Sequence, residues 1–218
     1  MGRSASPGNG GHVSLAKAPT GIRGLDKILD GGLPEGRVTM VSGGPGTGKT
    51  VLAMEWLYRG AAAGRPGVLV TFEERADNVR ANAASMGMDL ARLEAEGKLR
   101  VVHASVPHRA VRSGEFDIQG LLAMLDGHTG SVGAGVLVLD AIDVLMRVFG
   151  DPEREREELH ALDDWVRDRG LTTVLTVKTL GDGTQFYPFL DFMADCVLYL
   201  DQRVSEQVRT RRLRVMKY

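Results

Sequence analysis

A chain of 218 residues is long enough for one domain with a full core and short for two. Its formal net charge of −1, with 25% charged residues, neither demands nor excludes a nucleic-acid partner. One cysteine, Cys196, rules out an internal disulfide and fits a reducing, cytoplasmic setting; no uncharged apolar run in the chain is long enough to span a bilayer, and the chain shows no charged-then-apolar signal-peptide pattern.

Residues 1 to about 16 are mostly small, polar and rich in Gly, Ser and Pro, and read as a disordered leader. Met1-Gly2-Arg-Ser-Ala-Ser6 matches a myristoylation pattern, but a Gly/Ser leader meets that pattern easily and one acyl chain anchors weakly. The chain then alternates short apolar runs with helical patterns. Val38–Ser42 reads as a strand and leads into Gly43-Gly-Pro-Gly-Thr-Gly-Lys49-Thr50, which fits G-x-x-x-x-G-K-[ST]. A glycine-rich surface turn could match the letters. The strand before and the amphipathic run Lys49–Ala63 after supply the strand–loop–helix context that a phosphate loop needs. Four glycines in eight residues let backbone N–H groups turn inward onto phosphate oxygens. Lys49 supplies charge for the β- and γ-phosphates, the Thr50 hydroxyl can ligate Mg²⁺, and the new helix adds its positive end. Gly43, Gly44, Pro45, Gly46, Thr47, Gly48, Lys49, Thr50 and Val51 are therefore the candidate ATP-binding residues.

Gly67–Phe72 is the next predicted strand, followed by Glu73 and Glu74. Carboxylates at the top of a central strand could sit over the γ-phosphate and deprotonate the attacking water. They could equally open the next helix, where acids suit the dipole, and the two roles are compatible. Helices are expected over Ala76–Ser85 and Asp89–Glu96, a strand over Leu99–His103 and a helix over Asp117–Leu125. The five histidines show no metal-ligand spacing, His103 and His108 flanking a Pro-containing loop. Val136-Leu-Val-Leu-Asp140 has the form of a buried strand with a carboxylate at its C-terminal end, where open α/β sheets bind ligands. Asp140 would hold Mg²⁺ opposite Thr50. Asp151-Pro152-Glu-Arg-Glu-Arg-Glu-Glu158 opens a predicted helix to Arg169, with Asp151 as cap and Pro152 at its first position. Its charges read as a solvated, ion-paired face. Strands over Thr172–Val177, Cys196–Leu200 and Arg212–Lys217 complete the pattern. Strands alternating with helices predict an α/β fold with a mostly parallel central sheet covered by helices on both faces.

Three further stretches carry a resemblance. Pro19-Thr-Gly-Ile-Arg-Gly-Leu-Asp-Lys-Ile-Leu-Asp-Gly-Gly-Leu-Pro-Glu-Gly36 resembles the entry segment of RecA-superfamily ATPases. Gly67-Val-Leu-Val-Thr-Phe-Glu-Glu74 and Asn82-Ala-Ala-Ser-Met-Gly-Met-Asp-Leu90, with Glu96-Gly-Lys-Leu-Arg100, are similar to the KaiC-like branch. The resemblance covers residues 19–218 and implies a RecA-like P-loop NTPase core. It implies Mg-dependent ATP hydrolysis in a hexameric ring serving a signalling or timing complex, with protein partners of unstated identity. It assigns Lys49 and Thr50 to phosphate and Mg²⁺, Asp140 to the metal, and Glu73 and Glu74 to the catalytic carboxylates. Lys217 matches a lysine that reaches the γ-phosphate held by the next subunit. Asp191-Phe-Met-Ala-Asp-Cys196 stands where the clock protein's second domain carries phosphoacceptors, so no autophosphorylation is expected. Residues 17–218 are expected to form one such domain, cut short at its C-terminal end, since family members continue with an Arg-Gly pair.

The alternative is a DNA-handling ATPase of the RecA/RadA or helicase kind. Thr179 to Leu200, where recombinases touch DNA, holds Asp182, Asp191 and Asp195 and no Lys or Arg, so it would repel phosphates. Phe186 and Tyr187 could stack on bases, but the nearest cation, Lys178, lies just before the loop. The basic run Arg209-Thr-Arg-Arg-Leu-Arg214 keeps the nucleic-acid reading open.

Overall fold

The computed structural model describes residues 15–105, 118–149, 151–179, 188–205 and 208–218. His108, Asp182, Phe186, Tyr187 and most of the leader lie outside the described residues. A short antiparallel pair, β1 (Lys17–Ala18) and β2 (Leu33–Pro34), brackets the four-residue helix α1 (Leu25–Ile28). Then follow β3 (Val38–Gly43), α2 (Lys49–Ala62), β4 (Gly67–Thr71), α3 (Ala76–Ser85), α4 (Leu90–Ala95) and β5 (Leu99–His103). The second half runs α5 (Ile118–Val132), β6 (Val136–Asp140), α6 (Asp143–Phe149), α7 (Pro152–Asp168), β7 (Thr172–Lys178), α8 (Pro188–Met193), β8 (Cys196–Ser205) and β9 (Val208–Lys217).

Seven strands form one sheet in the order β5-β4-β6-β7-β3-β8-β9. Every neighbouring pair is parallel except β8 with β9, an antiparallel hairpin at the edge. The parallel strands read as unbroken apolar runs because both their faces are covered. Along β6 the period of two sorts the side chains cleanly. Leu137 and Leu139 join the layer of α5, α6, α7 and α8, around Leu122, Leu145 and Leu162. Val136 and Val138 join the opposite layer, with Trp56 and Leu57 of α2 and Leu90 and Leu93 of α4.

Local chemistry sets the helix boundaries. Asp151 caps α7 by accepting from the Glu153 N–H at 3.4 Å, with Pro152 at the first helical position. At its far end, Leu171 N–H reaches back to the Val166 carbonyl at 3.1 Å and Gly170 N–H to Arg167 at 3.0 Å, a Schellman closure. Arg154–Glu158 and Arg167–Asp163 ion pairs lie along α7 at 3.5 and 2.8 Å, half-buried rather than on the fully solvated face that the sequence suggests.

The structure departs from the sequence expectation in extent. The helix expected over Asp117–Leu125 is described from Ile118 to Val132. Gly120, Gly127 and Gly130 weaken its pattern, but a Cβ on any of them would meet open space, so these glycines answer no packing demand. β8 and β9 extend well past the predicted strands, because each supplies the other's hydrogen-bond partners. The elements α1, α6, α8 and the β1/β2 pair are too short to show a period.

Candidate functional site

Parallel strands bring their C-terminal ends to one edge of the sheet, and the chemistry collects there. The glycine loop leaves β3, Glu73 and Glu74 follow β4, Asp140 ends β6 and Lys178 ends β7.

The loop needs its glycines for specific reasons. A Cβ on Gly43 would lie 2.4 Å from the Leu200 carbonyl oxygen and 2.9 Å from Thr47 Oγ1, so strand β8 closes the position to any side chain. Gly48 caps α2 at φ 101°, a left-handed conformation that only glycine adopts cheaply. The loop is braced by the Thr47 hydroxyl donating to the Gly44 carbonyl at 2.9 Å. The Lys49 ammonium donates to the carbonyls of Gly43 (2.8 Å) and Gly44 (2.9 Å). Burial draws its pKa below the usual lysine range, and Asp140 and Asp143 pull it back up. Beside the loop lies a groove of about 700 Å³, of a size that suits a nucleotide, lined by Gly46 to Leu52, Glu55, Met86, Leu200 and Arg211 to Leu213.

Thr50 and Asp140 meet, as their sequence contexts suggest. The Thr50 hydroxyl lies 3.0 and 3.1 Å from the two Asp140 carboxylate oxygens, and Thr176 of β7 also donates to Asp140. Burial raises the Asp140 pKa, while Thr176, Thr50 and Lys49 stabilise its ionised form. A hydroxyl and a carboxylate converging beside a phosphate loop are a hard-oxygen donor set that fits Mg²⁺, which takes few protein ligands when phosphates supply the rest. Among the described residues, no group of three or more His, Cys, Asp or Glu could hold a metal alone.

The adjacent acids part company. Glu73 receives Lys178 Nζ on both oxygens, at 2.8 and 2.7 Å, and Arg147 at 3.3 Å. Those cations, with Lys178 foremost, hold its pKa below the ordinary glutamate range despite partial burial. Glu74 turns the other way and accepts from Asn82 Nδ2 at 2.7 Å, while its N–H donates to Thr71 Oγ1 at 3.0 Å. It borders a smaller cavity with Thr50 and Val51.

Lys217 is not brought to the loop of its own chain. It pairs with Val197 near the start of β8, whereas Leu200, three residues on, stands beside Gly43. Its ammonium donates to the Asp191 carbonyl at 3.1 Å. The sequence reading missed Arg147, Thr176, Arg211 and Arg212 as site residues, and took Lys178 only as a loop neighbour. For Lys178 a signal existed: like Asp140, it stands at the C-terminal end of a predicted central strand. Arg147 lies on a helix with no readable period, and Arg211 and Arg212 reach the groove only through the β8/β9 hairpin.

Sheet order, glycine loop and strand-end carboxylates together define a RecA-type P-loop ATPase core. The family model "ATPase: KaiC" matches residues 18–218, and the chain belongs to that family. It is 39% identical over 212 residues to circadian clock protein KaiC2 of Synechocystis sp., covering 96% of this chain and 37% of the relative. It is 35% identical over 217 residues to the circadian clock oscillator protein KaiC of Synechococcus elongatus, covering 97% and 42%. The chain thus spans about two fifths of the length of these curated relatives. The crystal structure of a KaiC-like protein from Pyrococcus horikoshii superposes with a TM-score of 0.81 at 32% identity, covering 94% of this chain and 89% of that one.

Proposed function

We propose that residues 17–218 form one Mg-dependent ATP-hydrolysing domain that works in a ring of identical subunits within a cytoplasmic signalling or timing complex. The observation that carries this reading is the convergence, at one sheet edge, of the Lys49 loop, the Thr50–Asp140 pair and the Glu73 carboxylate. ATP fits with its phosphates on the loop N–H groups and its nucleoside in the groove toward Arg211 and Arg212. Bound Mg²⁺, held by Thr50 and through Asp140, would neutralise β- and γ-phosphate charge. Glu73 then accepts a proton from water as the water oxygen attacks the γ-phosphorus. The bond from phosphorus to the bridging oxygen breaks, and its electron pair leaves with ADP.

Within the ring, Lys217 would face the nucleotide of the adjacent subunit, away from its own loop. Exposed Phe192 and Met216 beside it suit a subunit contact. The DNA-handling alternative loses ground. Arg211 and Arg212 border the nucleotide groove, Arg214 lies 3.7 Å from Asp201, and Asp195 holds Arg37 and Arg167 at 3.0 Å each. No helix among the described residues is long and apolar enough to cross a membrane. Calorimetry tests the reading: the Lys49→Ala variant is expected to lose ATP affinity, because it removes the buried cation of the loop. Unchanged affinity would overturn it.

A further inference from the structure

Strand β6 lies between β4 and β7 in the sheet. Neighbouring strands are about 4.8 Å apart, so Glu73, after β4, and Lys178, at the end of β7, are carried by strands roughly 10 Å apart. Their ion pair therefore spans the end of β6, the position that Asp140 occupies. On its other side Lys178 is in register with Gly43, and the next residue, Thr179, donates its N–H to the Gly43 carbonyl at 3.1 Å. The Lys178 ammonium thus lies between the catalytic carboxylate and the phosphate loop. It is close enough to Lys49 to depress that lysine's pKa.

Lys49, Arg147 and Lys178 face Asp140, Asp143 and Glu73, three cations against three carboxylates. A terminal phosphate entering this balanced set draws the cation that stands beside the phosphate loop without being seated on it. Lys49 is already seated on the loop carbonyls, and Arg147 is shared between Glu73 and Asp143, at 3.3 and 3.8 Å. Lys178 has a flexible stem, its side chain is 42% exposed, and its pairing with the half-exposed Glu73 carboxylate is of a kind that adds little stability and exchanges readily.

We infer that Lys178 is a second phosphate-binding cation of this site, which exchanges the Glu73 carboxylate for the terminal phosphate of ATP and so uncovers Glu73 for water. Lys178 engages both Glu73 oxygens and Arg147 one of them, so most of the carboxylate's acceptor sites are taken and its basicity toward water stays low until that ammonium moves. ATP and ADP should then be distinguished by this lysine, since ADP offers no terminal phosphate to draw it. The inference rests on the ATP reading above.

The test is calorimetry with Mg-ADP and with the imido analogue of Mg-ATP, which does not hydrolyse. Lys178→Met is expected to weaken the triphosphate by about tenfold, the loss of one charge-assisted contact, and to leave ADP within about twofold. Lys178→Arg should restore most of the difference. Glu73→Gln, which releases Lys178, should tighten the triphosphate relative to ADP, and the double variant Glu73→Gln/Lys178→Met should lose that gain. Retained ADP affinity also certifies that each variant is folded. Equal effects of Lys178→Met on both nucleotides, or none on either, would overturn the inference and leave the ATP reading standing. If the unaltered protein binds neither nucleotide, both fall.

Discussion

Glu73 and Glu74 are neighbours in the chain with opposite surroundings. Glu73 faces two cations at the sheet edge above Asp140, and Glu74 is turned onto Asn82. The geometry favours Glu73 as the base. Glu73→Gln is expected to keep ATP binding and to slow hydrolysis by ~10²–10⁴-fold, the usual scale of base catalysis. Glu74→Gln should lower turnover far less. Single-turnover hydrolysis measured beside nucleotide affinity separates the two, and normal rates in both variants would refute the catalytic role. The pair was legible in the sequence as two acids after a strand. Which one faces the site was not, because the backbone turn after Phe72 and the partners Lys178, Arg147 and Asn82 decide it.

At the scale of elements, the site depends on close packing between α2 and the strands beneath it. A Cβ on Gly67, the first residue of β4, would lie 2.3 Å from Val136 Cγ2, 2.4 Å from Leu57 Cδ1 and 2.9 Å from the Val136 carbonyl oxygen. Gly67→Ala is expected to destabilise the fold by about 1–3 kcal/mol, the range for overfilling a packed core. Chemical denaturation with an unchanged m-value would report it as a lower midpoint. An undisturbed midpoint would mean that β4 and β6 can part without cost. The long periodic helices and apolar strands were readable from sequence because their patterns outlast several turns or pleats. The four-residue α1 and six-residue α8 are held by tertiary contacts such as buried Leu25 and Leu190, which leave no periodic trace.

Over the whole molecule, the feature with no partner within the chain's own nucleotide site is Lys217. It stands toward the opposite end of the sheet from the loop that its charge would suit. In the ring proposed above, Lys217→Ala should leave ATP affinity nearly intact, since the phosphate loop is untouched. Its turnover should fall by ~10³-fold if the lysine supplies a trans cation of the arginine-finger kind. Mixing Lys217→Ala with Glu73→Gln offers a second reading. Mixed rings pair a sound Glu73 with a sound Lys217 at some interfaces, so activity should partly return; light scattering with ATP checks that rings form. Activity that is no higher than the sum of the two separate variants would remove the trans role.

The amino-acid sequence by itself determined the α/β class, the phosphate loop, and the roles open to Lys49, Thr50 and Asp140. These rest on local rules: backbone permissiveness at glycine, strand periodicity, and the meeting of strand ends at one edge of a parallel sheet. The tertiary structure alone decided that Thr176 braces Asp140, that Arg147 and Lys178 hold Glu73, and that Arg211 and Arg212 border the groove. Those contacts join residues on different strands and helices, and strand order is set by how crossovers pack, which no local pattern of residues encodes.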